Sequence, residues 1–203
     1  MSCKWFSTKQ EFAEFINHAL NELNSGIINE KLLYSIISKQ LLWDYTEWTH
    51  DDTDIPTNCQ IRKYGCQYWT EDALKQVFDL NSFDGNTYKL NGNKSEVIKN
   101  LITEHSMPKD VLAKDLIEMK KSHTSEEIYN YLNTYAKICI VTKAQNDLLD
   151  NKLRSCLPNK SNIRTKDDLW SRYVSIGINK LYKCTWDDTS GSWVLKSYEL
   201  INI

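Results

Sequence analysis

The stretch LYKCTWDDTSGSWVLKSY, residues 181–198, carries the strongest indication of fold in this chain. Two runs rich in aromatic and β-branched residues flank a centre of Asp, Thr, Ser and Gly, which is typical of a β-hairpin. An isolated hairpin is only marginally stable in water, so this one needs a further strand or a packed helix. The apolar run Ile138-Cys139-Ile140-Val141 is the candidate third strand.

Most of the remaining chain predicts helices. Six glycines and three prolines are few interruptions for 203 residues. Thr124 and Thr142 each open a capping-box pattern, with Glu127 and Gln145 three residues later. Apolar residues recur at helical spacing in several segments, for example Phe12, Ile16, Ala19 and Leu20, then Leu32, Leu33, Ile36 and Ile37, then Val111, Leu112, Leu116 and Ile117. The sequence therefore predicts a predominantly helical α+β fold, with about seven helices and a small antiparallel sheet built on the C-terminal hairpin.

The length predicts a single compact domain over residues 1–203. A soft subdivision is expected between a helical N-terminal part, 1–80, and an α+β C-terminal part, 95–203. Turn-rich sequences around Asp84-Gly85-Asn86 and Asn91-Gly92-Asn93 place the boundary within 80–95. Ser95 would then open a helix through Val97, Ile98, Leu101 and Ile102.

Composition limits the class of protein. The formal net charge of −2 lacks the basic balance of many nucleic-acid-binding domains. No run approaches 18 apolar residues and the N-terminus lacks a secretory pattern, so we expect a cytoplasmic protein without a membrane partner. Six scattered cysteines are then expected to be reduced thiols. The abundance of Lys, Asn and Ile suits AT-rich coding, as in a bacterium, a phage or a mobile element.

Glu104 and His105 are the candidate catalytic residues. They lie where the predicted helix ends and where Pro108 begins the next one, and helix ends bring polar side chains and unpaired backbone groups together. A carboxylate and an imidazole in a cleft could act as a general acid and base. The alternative is structural, because an imidazole also satisfies loose carbonyls at a helix C-terminus.

Metal and cofactor sites find little support in the sequence. A nuclease site of the His-Asn-His type needs a second His and an Asn near His105. The sequence does not place them there, since His123 lies beyond the next helix. Cys59 and Cys66 are too far apart in sequence for a zinc knuckle. Phosphate-loop, dinucleotide-binding, kinase and nucleophile-elbow motifs are absent from the sequence. We therefore expect no metal and no cofactor.

Two charged segments are candidate binding surfaces. Trp48, Asp51, Asp52 and Asp54 mix an aromatic side chain with carboxylates, as interface anchors do, and are the candidate partner-binding residues. Residues 152–172 form the only locally basic region of the chain. Its candidate anion-binding residues are Arg154, Lys160, Arg164 and Arg172.

Two functions from different classes follow. The leading one is binding of a macromolecule, most readily another protein, with nucleic acid as a second partner through 152–172. A role in defence, immunity or counter-defence would suit such a small protein. The alternative is a hydrolase or nuclease that uses Glu104 and His105, with Arg172 binding an anionic group. The sequence does not decide whether the protein is an enzyme or a binding protein. It also leaves the oligomeric state open. The deciding observation is whether the polar ends of these three side chains converge in one cleft.

Overall fold

The computed structural model describes residues 6, 8–46, 66–78, 99–119, 123–158, 164–187 and 194–203. These parts of the chain contain seven helical segments and one five-stranded sheet. The predicted α+β class and its mostly helical character are confirmed. The expected boundary within 80–95 lies outside the described residues.

The helical segments follow the apolar stripes and the capping signals. Thr124 and Thr142 make the predicted capping boxes, and Thr8 caps the first helix by accepting from the N–H of Glu11. Gly26, with φ at 74°, lies in the turn after that helix. The segments are α1 (Lys9–Asn24), α2 (α-helix Glu30–Ile36, π-helical turn Ile37–Leu41, α-helix Leu42–Thr46), α3 (Glu71–Val77), α4 (Lys109–Glu118), α5 (Ser125–Tyr135), α6 (Lys143–Leu153) and α7 (3-10 turn Lys166–Trp170, then α-helix Ser171–Ser175).

The sheet is mixed and has five strands, so the prediction of a small antiparallel sheet built on the C-terminal hairpin was wrong in its strand directions and its extent. Its strands are β1 (Tyr68–Thr70), β2 (Leu101–His105), β3 (Ile138–Thr142), β4 (Lys180–Asp187) and β5 (Val194–Asn202), in the order β2-β3-β1-β4-β5. The hairpin β4–β5 forms as expected, and β3 is a strand of the same sheet. However, β3 does not pair with the hairpin, because the short β1 lies between them and runs parallel to β3.

Three buried clusters surround the sheet. One lies mainly between the helices α1, α2, α4 and α5, with Phe12, Ile37 and Leu112 fully buried. A second packs α3 on one face of the sheet around Trp69. The third packs α6 and α7 on the opposite face, where Tyr173 meets Cys139 and Val141 of β3. Strand β2 is an edge strand of the sheet and leads directly to α4, so its end lies beside the helical cluster.

Candidate functional site

Glu104 and His105 lie at the end of a strand and not at the end of a helix. Residues Leu101–His105 form β2, paired in antiparallel register with β3, so the helix predicted to run into this pair was wrong there. Successive side chains of a strand point to opposite faces of the sheet. Glu104 therefore points toward α7, and His105 points toward α2. Because the two residues are neighbours on a strand, their side chains lie on opposite faces of the sheet.

Arg172 holds Glu104. The Arg172 Nη1 donates to Glu104 Oε1 at 2.8 Å and to the His105 carbonyl at 3.0 Å. Arg172 has no exposed surface, while the Glu104 side chain keeps 19% of its own. Burial raises the pKa of the Glu104 carboxyl, and the charge of Arg172 opposes that rise. The Nε and Nη2 atoms of Arg172 are buried without a hydrogen-bond partner among the described residues. The guanidinium thus forms hydrogen bonds inside the protein and does not reach its surface.

The imidazole of His105 is buried against α2. Its Nε2 lies 3.2 Å from Thr46 Oγ1, which itself donates to the Leu42 carbonyl at 2.9 Å. Its ring meets the Trp43 ring nearly at a right angle, with centroids 4.4 Å apart. Burial lowers the pKa of His105 to about 3, and the charges of Lys109 and Arg172 act in the same direction. His105 is therefore neutral at physiological pH.

A cleft of about 500 Å³ opens beside this pair. Four elements form it: the middle and the end of α2, the end of β2, the beginning of α4 and the end of α6. Both Glu104 and His105 contribute to its wall, whereas Arg172 lies behind the wall. Its volume exceeds those of three other cavities of the described residues, of about 30, 260 and 280 Å³.

Each carboxylate that lines the cleft is hydrogen-bonded within the protein. Glu104 accepts from Arg172, and Asp110 accepts from the hydroxyl of Tyr34. Asp150 accepts from Asn146 Nδ2 at 3.2 Å. Of the three, only Glu104 is paired with a cation, so Asp110 and Asp150 keep their negative charge in the cleft.

Three cationic side chains also line the cleft. Lys39, Lys109 and Arg154 line it, and within the described part of the chain none of them makes a hydrogen bond or a salt bridge. Lys109 Nζ lies 4.4 Å from the centre of the Trp43 ring, a cation–π contact. Burial lowers the pKa of Lys109, and the nearby Glu104 and Asp110 oppose the shift. The cleft therefore offers three cations that make no salt bridge in the described structure, with the carboxylates of Glu104 and Asp110 near one of them, Lys109.

Backbone groups add to this positive character. Pro108 is the N-cap of α4 and supplies no capping side chain. The N–H groups of Val111 and Leu112 donate to the Pro108 carbonyl, whereas those of Lys109 and Asp110 precede the first intrahelical bond. A helix N-terminus carries partial positive charge and favours anions. The π-helical turn of α2 lies opposite and contributes Ser38 and Lys39; such turns are frequent at functional sites.

The predicted basic segment 152–172 does not form one surface. Arg154 lines the cleft, but Arg164 is paired with Asp115 of α4, with Nε to Oδ2 at 2.7 Å and Nη2 to Oδ1 at 3.0 Å. Arg172 is buried with Glu104. Lys160 lies outside the described residues. Among the predicted anion-binding residues, only Arg154 is placed in the described structure to meet a ligand.

Sequence reasoning missed Lys39 and Lys109. Lys109 had a usable signal, because it follows Pro108 at the start of a helix and directly after the pair that was singled out. Lys39 had none, since it is one of 21 lysines and reaches the cleft only through the packing of α2 on α4.

Other expectations concern residues or groups away from the cleft. Trp48, Asp51, Asp52 and Asp54, the predicted partner-binding residues, lie outside the described residues. Within the described ranges, no three His, Cys, Asp or Glu side chains are grouped so as to hold a metal ion. No described helix is both long enough and apolar enough to cross a membrane.

Comparison with known proteins gives no family. No protein-family model matches the chain, and searches of curated proteins and of solved structures find no match either. Functional inference therefore rests on the geometry of the cleft.

Proposed function

We propose that this protein acts by binding a macromolecule that places an anionic group in the cleft between α2, α4 and α6. One observation carries the proposal: Lys39, Lys109 and Arg154 line the cleft without a hydrogen bond or salt bridge in the described part of the chain, whereas the charge of Glu104 is paired with Arg172. A half-buried ammonium without a hydrogen bond is stabilised by a ligand or a water molecule that supplies an acceptor. An anion would contact these cations and the first N–H groups of α4 together.

Binding of an inorganic anion tests this proposal directly. Phosphate, titrated against a chloride control of equal ionic strength, is expected to shift the backbone amide NMR signals of Lys109 and Asp110 along a saturating curve. Lys109→Ala removes one charge-assisted contact and should weaken binding about three- to tenfold. Lys152→Ala, an exposed lysine of α6 outside the cleft, should leave the affinity unchanged. Equal shifts with chloride, or no effect of Lys109→Ala, would contradict the proposal.

The predicted biological setting, a bacterium, a phage or a mobile element with a defence or counter-defence role, stays a prediction. The cleft is independent of that setting, because it concerns only the chemistry of what is bound.

A hydrolase is the second candidate, and one observation favours it. Glu104 lines the cleft, remains partly exposed and has a raised pKa, as a general acid requires. His105 does not assist it, since its imidazole points to the other face of the sheet and contacts Thr46. Arg172 stabilises Glu104 and has no exposed surface with which to bind a phosphate.

Hydrolysis of activated esters separates the two candidates. With bis(p-nitrophenyl) phosphate and p-nitrophenyl acetate, we expect wild type and Glu104→Gln to show the same rate as buffer at equal folded fraction. A general acid contributes about 10²- to 10⁴-fold to a rate. Turnover by the wild type that falls by this factor in Glu104→Gln, and persists in Arg154→Ala, would favour the hydrolase.

A further inference from the structure

We propose that a second site, separate from the cleft, binds a free amino acid or another small zwitterion at the carboxyl ends of β1 and β3. This site goes beyond the proposed function and does not depend on it. Its basis is the topology of the sheet, a cavity at this edge of the sheet, and the charges that line the cavity.

β1 and β3 are adjacent parallel strands, and the helices that follow them lie on opposite faces of the sheet. Trp69 of β1 is in parallel register with Ile140 of β3. β1 leads into α3, which packs beside these two side chains. β3 leads into α6, whose Leu149 packs on the other face beside Cys139. Helices that diverge in this way leave a crevice outside the carboxyl ends of the strands, and in α/β sheets this crevice is where ligands bind.

A cavity of about 260 Å³ lies in this crevice. It is lined by the end of β1, the first turns of α3 and α6, and the turn that leads from α7 into β4. That turn reaches the same edge because β4 runs antiparallel to β1, with Leu181 opposite Thr70. None of the described residues lines both this cavity and the cleft. Since β2 runs antiparallel to β3, the cleft lies at the opposite end of the strands.

Gln145 of α6 connects the elements around the cavity. Its Oε1 accepts from the Thr70 hydroxyl at 2.8 Å and from the N–H of Thr142 at 3.0 Å. Its Nε2 donates to Asp72 Oδ2 at 2.9 Å. One side chain thus joins the ends of β1 and β3 to the first turn of α3. These hydrogen bonds hold Asp72 in place before a ligand binds, which lowers the entropic cost of binding.

The cavity is lined by a carboxylate and an ammonium that form no salt bridge with each other. Asp72 accepts from the uncharged Gln145, and Lys180 makes no side-chain hydrogen bond or salt bridge in the described structure. The other carboxylate of the cavity, Glu71, is paired with Lys75. A zwitterion would place its ammonium at Asp72 and its carboxylate at Lys180. A phosphate would meet the carboxylate and a simple amine would meet the ammonium, so a ligand with both charges is the best electrostatic match.

The size and the remaining lining suit a small metabolite. Pockets for drug-sized ligands have volumes of about 300–1,000 Å³, and this cavity lies just below that range. The partly buried Ile178 offers apolar contact to the side chain of an amino acid. The exposed amide of Asn179 can both donate and accept a hydrogen bond. We therefore expect a ligand of the size of a free amino acid and not a dinucleotide.

NMR titration of the full chain with free amino acids tests this proposal. The proteinogenic L-amino acids are added one at a time at pH 7. At least one of them is expected to shift the backbone amide signals around the cavity along a saturating curve, namely those of Asp72, Gln145, Asn179 and Lys180. The N-acetyl amide of the same amino acid lacks both charges and should give no saturable shift.

Two variants test the two charges separately. Asp72→Asn and Lys180→Gln each remove one charge-assisted contact and should weaken binding about three- to tenfold. Asp147→Asn and Lys152→Gln are the matched controls, because they remove exposed charges of α6 outside the cavity, and they should leave the affinity unchanged. The same spectra show whether each variant is folded.

Several results would overturn the proposal. These are the absence of a saturable shift with every amino acid, equal affinity for the N-acetyl amide, and full affinity in either Asp72→Asn or Lys180→Gln. Saturable shifts confined to Lys109 and Asp110 would place the amino acid in the cleft and would overturn it as well. A saturable phosphate response at Lys109 without an amino-acid response at Lys180 would remove only this second site and leave the proposed function standing.

Discussion

Replacing Arg172 by methionine is expected to lower the free energy of unfolding by about 3–5 kcal/mol, the range seen when one partner of a buried ion pair is removed. Methionine keeps much of the apolar stem of arginine but none of its hydrogen bonds. The change would leave the Glu104 carboxylate, which is 19% exposed, without its cation, and the His105 carbonyl without its donor. Both losses act on the folded state only.

Urea unfolding at pH 7 measures this effect, and two further variants define its origin. Arg154→Met removes an exposed arginine that has no salt bridge in the described structure, and should change stability by less than about 0.5 kcal/mol. In Arg172→Met/Glu104→Gln the stranded charge is also removed, so part of the lost stability should return. A loss below 1 kcal/mol in Arg172→Met would show that the pair contributes little to folding.

Lowering the pH from 7.5 to 5.0 is expected to destabilise the wild type by about 2 kcal/mol more than His105→Gln. An unfolded histidine has a pKa near 6.5, whereas burial lowers the pKa of His105 to about 3 in the folded protein. Between these values the unfolded state binds a proton that the folded state excludes, so stability is complete above pH 6.5 and falls as the pH decreases. At pH 5.0 the difference amounts to about 1.5 pH units, at 1.36 kcal/mol each.

Glutamine is the appropriate replacement, because it can keep a polar contact with Thr46 and does not titrate. Urea unfolding of both proteins at the two pH values gives the comparison, and all other titrating groups cancel in the difference. His123→Gln provides the control, because it removes an exposed histidine outside the cleft. Equal pH dependence of wild type and His105→Gln would mean that His105 is protonated in the folded protein.

Several parts of the fold could be predicted because their signals are local. The hairpin β4–β5 follows from two β-rich runs around a turn, and the helices after Thr124 and Thr142 follow from capping boxes that the structure contains. Each signal involves residues within a few positions of one another. Short-range interactions of this kind hold whichever tertiary arrangement surrounds them.

The strands β1 and β2 could not be predicted in the same way. β1 has three residues, and its strand conformation depends on β3 and β4 on either side. β2 was misread because Leu101 and Ile102 continue a helical spacing from Val97 and Ile98. In the structure all five residues of β2 pair with β3, about 37 residues away in sequence. Pairing between distant strands thus overrode the apparent helical period.

By itself the sequence determined the fold class, the hairpin and the capped helices. It also identified Glu104, His105 and Arg172 as candidate site residues. Only the tertiary structure decided what these three residues do. It joined Glu104 to Arg172 across 68 positions, turned His105 toward Thr46, and brought Lys39, Lys109 and Arg154 to one cleft. The physical reason is that secondary structure responds to near neighbours, whereas the role of a charged side chain depends on burial and on its partner charges. Both of those are set by residues far apart in the chain.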